Sequence, residues 1–272
     1  MDVKKLCFGL VASSLLLSGC GQKQTQDNTF VVGMECNYAP FNWQSNNESE
    51  TSVSLDGAGY ADGYDVMMAR KIADSLGRTL VIKKIAWDGL QPALQSGTID
   101  AIIAGMTAND DRENGIDFTT PYYESEMALI VRKDDTCSQY TNIQQFGGKV
   151  VVGQKNTNYD TVIDQIKNVK HMTPKQSYPE MVLSLQQKEA DAITAELPVA
   201  KGIIETNPDL TYITFEKGKG FEIDTSVSIG LKEGSRNTEE FKKVQDALDK
   251  IDQADRESMM EYARSHVPAN ME

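Results

Sequence analysis

The apolar run Ile99-Asp100-Ala101-Ile102-Ile103-Ala104, bounded by Gly97 and Gly105, constrains this chain more than any other stretch. Its length and glycine borders are those of one buried strand. Gly105 then lets the backbone come close to a neighbour, and Thr107 offers a hydroxyl. Asn109 reads as the N-cap of a short helix that carries Asp110 and Asp111, and Arg112 follows about one turn later. A strand end, exposed amides, a hydroxyl and a guanidinium fork together form a receptor for a small carboxylate. From spacing alone, Arg112 serves equally well to neutralise its acidic neighbours.

The flanking chain alternates strands and helices, which argues for an α/β class. Phe30 to Met34 reads as a buried strand that delivers Glu35-Cys36-Asn37-Tyr38-Ala39-Pro40-Phe41 at its C-terminal end, where open α/β sheets place ligands. Residues 44–62 are rich in Ser, Asn, Glu and Gly and read as a surface loop. Val66, Met67, Ala69, Ile72, Ala73 and Leu76 recur at helical spacing before a stop at Gly77. Thr79 to Ile85 alternates like a strand. Trp87 precedes Asp88, a plausible N-cap for a helix over 89–96; an isolated Trp is by default a core residue. Met127 to Lys133 reads as a strand leaving a first lobe, with a return near 224–231. Residues 158–167 have helical spacing. Ser177-Tyr178-Pro179-Glu180 matches a capping box opening a helix over 181–188. A strand over 191–195 delivers Glu196, which could cap the next helix, whose first turn holds Pro198. Residues 237–264 read as one or two amphipathic helices packing back on the first lobe.

Charge and cysteine usage exclude several classes. The formal net charge of −13 makes nucleic acid and anionic membranes poor partners. The four cysteines, Cys7, Cys20, Cys36 and Cys137, form no CxxC pair, and the two histidines, His171 and His266, lie far apart. No zinc or redox centre follows, so neither a metal nor a cofactor is expected. Cys36 and Cys137 are either a disulfide or two free thiols. At the start of the chain, Lys4 and Lys5 precede an apolar segment, Leu6 to Leu17, too short for a comfortable membrane span. Leu17-Ser18-Gly19-Cys20 matches the bacterial lipobox, so residues 1–19 read as a lipoprotein signal peptide, Cys20 as the lipidated residue and 20–29 as a tether. The protein would then face outward, held to the cell membrane by its lipid.

The central stretch resembles a signature of the polar amino acid solute-binding proteins of ABC importers. The resemblance rests on Asp100-Ala101-Ile102-Ile103-Ala104-Gly105-Met106-Thr107, Arg112, Asp117, Phe118, Thr119, Pro121 and Tyr122. Tyr38, Pro40 and Phe41 match the family's first motif, with Glu35 where Asp is common. The resemblance implies a two-lobed fold of the type II periplasmic-binding-protein class, hinged on two crossing strands. Lobe 1 would be 30–131 plus 223–272 and lobe 2 would be 132–222. It further implies that Thr107, amides near Gly105, Met106 and Thr107, and Arg112 hold a ligand α-carboxylate, joined by Thr157 from the second lobe. Lys155, where the family has Gly, puts that loop's shape in question, because Lys tolerates positive φ poorly. Glu196, in place of the usual Asp, would pair with the α-ammonium. Tyr38 and Trp87 would sandwich the side chain, and Glu35 would receive a cationic head.

The implied function is an extracytoplasmic receptor that binds one free L-amino acid, arginine or lysine first, and delivers it as a monomer to a permease and ATPase. One alternative keeps the fold and binds a neutral polar amino acid such as glutamine or cystine. Another is an enzyme like the cyclohexadienyl dehydratases of the same fold. No positioned histidine or catalytic pair supports that second alternative.

Overall fold

The computed structural model describes residues 28–268; the expected signal peptide over 1–19, Cys20 and nearly all of the expected tether lie outside the described residues. Two five-stranded sheets divide the chain. The first runs in the order Thr79–Lys84, Thr29–Met34, Ala101–Ile102, Val227–Lys232, Ile116–Tyr123. Its first three strands are parallel, and Val227–Lys232 is antiparallel to both of its neighbours. The second runs Lys170–His171, Val150–Val152, Ala192–Glu196, Met127–Arg132, Leu210–Ile213. Again the first three are parallel, and Met127–Arg132 is antiparallel to both neighbours. In each sheet the parallel strands connect to opposite sides of the earliest one. That reversal opens a crevice beyond their C-terminal ends. In the first lobe it lies past Met34 and Ile102, and in the second past Val152 and Glu196.

The elements that position these strand ends follow from local pattern. Phe30, Val32 and Met34 alternate into the core and are fully buried. The helix Tyr64–Leu76 buries its apolar face and ends at Gly77 in the left-handed conformation, φ 67°. Asn109 caps the short helix Asp110–Glu113 by accepting from the Arg112 amide at 2.9 Å.

Several expectations are corrected. The strand Met127–Arg132 belongs to the second sheet, so the chain crosses near residues 124–126 and not at 131–132. An apolar strand does not reveal by its own sequence which sheet will pair with it. The return segment meets the crossing one through a hydrogen bond from Thr225 Oγ1 to the Ser125 carbonyl. Residues 44–62 are not simply a loop: Asn42–Ser45, Val53–Ser54 and Tyr60–Asp62 join Asn37–Tyr38 in a small antiparallel sheet. Its strands are short and polar outward, yet Trp43, Leu55 and Ala61 are buried beneath. Ser177 stands at the N-cap of Tyr178–Gln186 without a side-chain cap bond, and Glu180 accepts from the Gln176 amide instead. The C-terminal helices Glu239–Asp249 and Gln253–Ser265 pack on the first lobe, with Arg78 gripping Glu240 and Lys71 reaching Asp255 at 3.2 Å. Cys36 and Cys137 are separate, buried thiols, pushed by burial up to about 12 and about 11.

Candidate binding site

The first strand, Thr29–Met34, is followed by Glu35 and then Cys36, which turns the chain with φ 58°. Beyond the adjacent strand Ala101–Ile102, Gly105 turns it with φ 61°. A Cβ at Gly105 would stand 2.7 Å from Tyr38 Cε1, so the turn and the close approach both need glycine. The Gly105 amide donates to the Tyr122 hydroxyl at 3.0 Å. It is therefore committed to the protein and not open to a ligand. Tyr38 lies against Phe41, ring centroids 5.3 Å apart, and its hydroxyl donates to Glu196 Oε1.

Arg112 folds back so that Nη1 donates to the Thr107 carbonyl at 2.6 Å and Nη2 to the Asn156 carbonyl at 3.3 Å. Its guanidinium lies 5.2 Å from the centre of the Trp87 ring. Among the described residues it makes no ion pair, and burial lowers its pKa to about 10. Neutralising its acidic neighbours is thus not what this side chain does. A half-buried guanidinium without an ion-pair partner is suited to receive an anion.

Trp87 opens the helix Trp87–Gln95, and its indole Nε1 donates to the Asn156 carbonyl at 3.1 Å. Asp88 does not cap that helix, whose N-cap is Ala86. Its carboxylate instead reaches across the cleft to Lys155 Nζ at 3.0 Å and Asn156 Nδ2 at 2.7 Å. In the loop over 153–157 the positive φ falls on Asn156, at 58°, and not on Lys155. Asn is the side chain that best tolerates that conformation after glycine, so the Lys155 substitution leaves the turn intact. Thr157 Oγ1 donates to the Gln154 carbonyl at 2.7 Å and fixes the loop.

Two buried acids, Glu35 and Glu196, stand at strand ends around the site. Glu35 accepts from Gln154 Nε2 at 3.0 and 3.2 Å. Burial pushes it from 4.5 up to about 7, with the Gln154 hydrogen bond opposing. Glu196 ends the strand Ala192–Glu196, is fully buried, and makes no side-chain cap bond to the helix that follows. Burial pushes it up to about 8, the Tyr38 hydrogen bond opposing. Glu196 Oε2 and the Tyr159 hydroxyl, which face each other, make no hydrogen bond of good geometry.

Glu35, Tyr38, Trp87, Gly105, Thr107, Arg112 and Thr157 line one closed interlobe pocket with about 10 Å³ of free space. Met106 and Glu196 do not line it. The Met106 side chain is buried beside it, and Glu196 lies behind Tyr38. Sequence reasoning missed Gln154, Asn158 and Tyr159, which line the pocket from the second lobe. A signal was available for Gln154, which follows Val150–Val152 much as Glu35 follows Thr29–Met34. A larger groove of about 470 Å³ runs between Ala39 and the helices Tyr178–Gln186 and Leu197–Thr206, but no charged side chain lines it. Among the described residues no group of His, Cys, Asp and Glu is arranged to hold a metal.

Among the described residues that line it, the pocket therefore presents one cation without an ion-pair partner, Arg112, and one acid, Glu35, with Glu196 buried behind Tyr38. The model of the bacterial extracellular solute-binding proteins, family 3, matches residues 30–256. A Campylobacter jejuni protein described as a probable histidine-binding protein is 31% identical over 225 residues, covering 79% of this chain and 82% of its own. An Escherichia coli protein described as a putative ABC transporter arginine-binding protein is 27% identical over 241 residues, covering 89% of this chain and 92% of its own. A Streptococcus pneumoniae amino acid ABC transporter substrate-binding protein, solved bound to L-arginine, superposes with a TM-score of 0.75 at 26% identity, over 90% of this chain and 97% of that one. With strand ends of two α/β lobes facing each other across one charged pocket, and with the match running over most of its length, the chain belongs to the bacterial extracellular solute-binding proteins, family 3.

Proposed function

We propose that this amino acid substrate-binding protein of an ABC importer encloses one L-amino acid with a cationic side chain, arginine first and lysine next. The observation that carries the reading is the pocket's charge pattern: Arg112 without an acid partner and Glu35 without a base both line it, with Glu196 buried behind Tyr38. A basic amino acid carries the complementary set, one carboxylate, one α-ammonium and one side-chain cation. In this reading Arg112 and Thr107 take the carboxylate, Thr157 supports it from the second lobe, and Glu196 with Tyr159 takes the ammonium. The stem lies along Trp87 and Tyr38, and its head meets Glu35. Arginine-bound solved structures of similar fold support the assignment. Bending at the crossing segments near 125 and 225 would open and close the site, and the pairs of Asp88 with Lys155 and Asn156 would hold it shut.

The lipobox supports lipidation at Cys20 and attachment to the outer face of the cell membrane, where the monomer would hand ligand to its permease. The relatives are solute-binding proteins, which favours a receptor over an enzyme. Prephenate or arogenate turnover by the purified chain would overturn that choice. A neutral ligand is the second reading, favoured by the Glu35–Gln154 hydrogen bonds, which an uncharged Glu35 retains. Relatives described as binding L-cystine and glutamine support it too.

Thermal unfolding of residues 21–272 against single amino acids tests the proposal. A ligand at a hundred times its Kd stabilises by about 2.7 kcal/mol, a shift of a few degrees. Arginine or lysine should shift the midpoint and glutamine and cystine should not. A shift with a neutral amino acid alone would transfer the case to the second reading.

A further inference from the structure

One buried carboxylate outside the pocket is linked, through one side chain each, to both loops that build it. Asp65 lies in the first turn of the helix Tyr64–Leu76 and is fully buried. It accepts from the Tyr122 hydroxyl at 2.7 Å and from Asn42 Nδ2 at 2.7 Å. Each donor passes the contact on. Tyr122 accepts from the Gly105 amide at 3.0 Å, and Asn42 Oδ1 accepts from the Cys36 amide at 2.7 Å. The two arms thus end on the two backbone amides where the strands turn into the site. Both residues are in the left-handed conformation, Cys36 at φ 58° and Gly105 at φ 61°. For Cys36, which has a Cβ, that conformation is costly and persists only where surroundings hold it.

We infer that Asp65 is a positioning residue, a single anchor that sets the aim of Glu35 and Tyr38 through Asn42, and of Thr107 and Arg112 through Tyr122. The roles of those aimed residues rest on the proposed ligand; the anchoring itself does not. A buried carboxylate without a cation carries a desolvation penalty that apolar packing would avoid. Only a carboxylate accepts from both arms at once. An amide at position 65 presents one acceptor and one donor, so whichever arm meets its NH₂ loses its acceptor. Exchanging the two residues restores the pattern: a carboxylate at 42 accepts from the Cys36 amide and from the new amide at 65, whose oxygen accepts from Tyr122.

The experiment compares wild type, Asp65→Asn, and the double exchange Asn42→Asp with Asp65→Asn, by amide hydrogen exchange and by calorimetric titration with arginine. In Asp65→Asn, exchange at Cys36 or Gly105 should rise at least tenfold, while the second-lobe strand Ala192–Glu196 keeps its protection. Arginine affinity should fall at least tenfold, and the double exchange should recover both. Tyr122→Phe gives a second check, because it should expose Gly105 and leave Cys36 protected. Unchanged exchange at both amides in folded Asp65→Asn overturns the inference, as does failure of the double exchange to restore protection. If wild type itself binds no arginine, the ligand reading fails, yet the exchange pattern still decides the role of Asp65.

Discussion

Removing the charge of Glu35 should abolish the preference for a cation without abolishing amino acid binding. Glu35 is buried and held at about 7. About one in eleven molecules carries the charge at pH 6 and about ten in eleven at pH 8. A guanidinium pairs with the charged form, so arginine uptake is linked to release of a proton. In the proposed binding mode Glu196, held at about 8, meets the α-ammonium of any amino acid and affects all ligands alike. The ratio of arginine to glutamine affinity therefore isolates Glu35 and should rise about tenfold between pH 6 and pH 8. Glu35→Gln should flatten that ratio. It should also weaken arginine by about 2–5 kcal/mol at pH 8, the usual range when one partner of a buried ion pair is lost, and leave glutamine within a few fold. Titration calorimetry with both ligands at both pH values reads all four numbers. A parallel loss of arginine and glutamine affinity in Glu35→Gln would refute the reasoning, and so would a pH-dependent ratio that survives the substitution.

Other perturbations test separate contacts. Arg112→Ala should eliminate binding of every amino acid, because it removes the one cation among the described residues that line the pocket; unchanged affinity in the same titration would remove Arg112 from the site. Gly105→Ala should cost on the order of 1–3 kcal/mol through strain at φ 61° and the clash with Tyr38, seen as a midpoint lower by several degrees and weaker binding. Asp88→Ala removes half-exposed contacts worth under about 1 kcal/mol each, so arginine should bind about two- to fivefold more weakly, through faster release in stopped-flow. Both Glu35 and Glu196 have folded pKa values raised above 4.5. The ligand-free protein should therefore lose stability as pH climbs through the window from 4.5 to about 8, and Glu196→Gln should flatten that fall in thermal melts.

Local signals carried far in this chain. The buried first strand, the helix closed by Gly77, the Asn109 cap and the delivery of Glu196 by a strand all depend on residues within a few positions of one another. The small sheet over 37–62 was hidden because its strands are two to four residues long and its outward faces are polar. Asp88 and Ser177 looked like caps because cap propensity is local, whereas the partners that claimed Asp88 sit 67 and 68 positions away. The anchor of Asp65, Asn42 and Tyr122 joins residues 23 and 57 positions apart. No periodicity reports such pairings. Seven of the sequence-derived site residues reached one pocket because each follows or flanks a strand end at the crevice. Glu196 reached it only indirectly, through Tyr38.

The most direct test of the central claim is a crystal structure of the arginine complex. It should show the ligand carboxylate within hydrogen-bond reach of Arg112 and Thr107, the ammonium toward Glu196, and the guanidinium on Glu35 with Gln154 displaced or shared. A ligand that leaves the Glu35–Gln154 pair untouched, or that settles in the uncharged groove beside Ala39, would contradict the account.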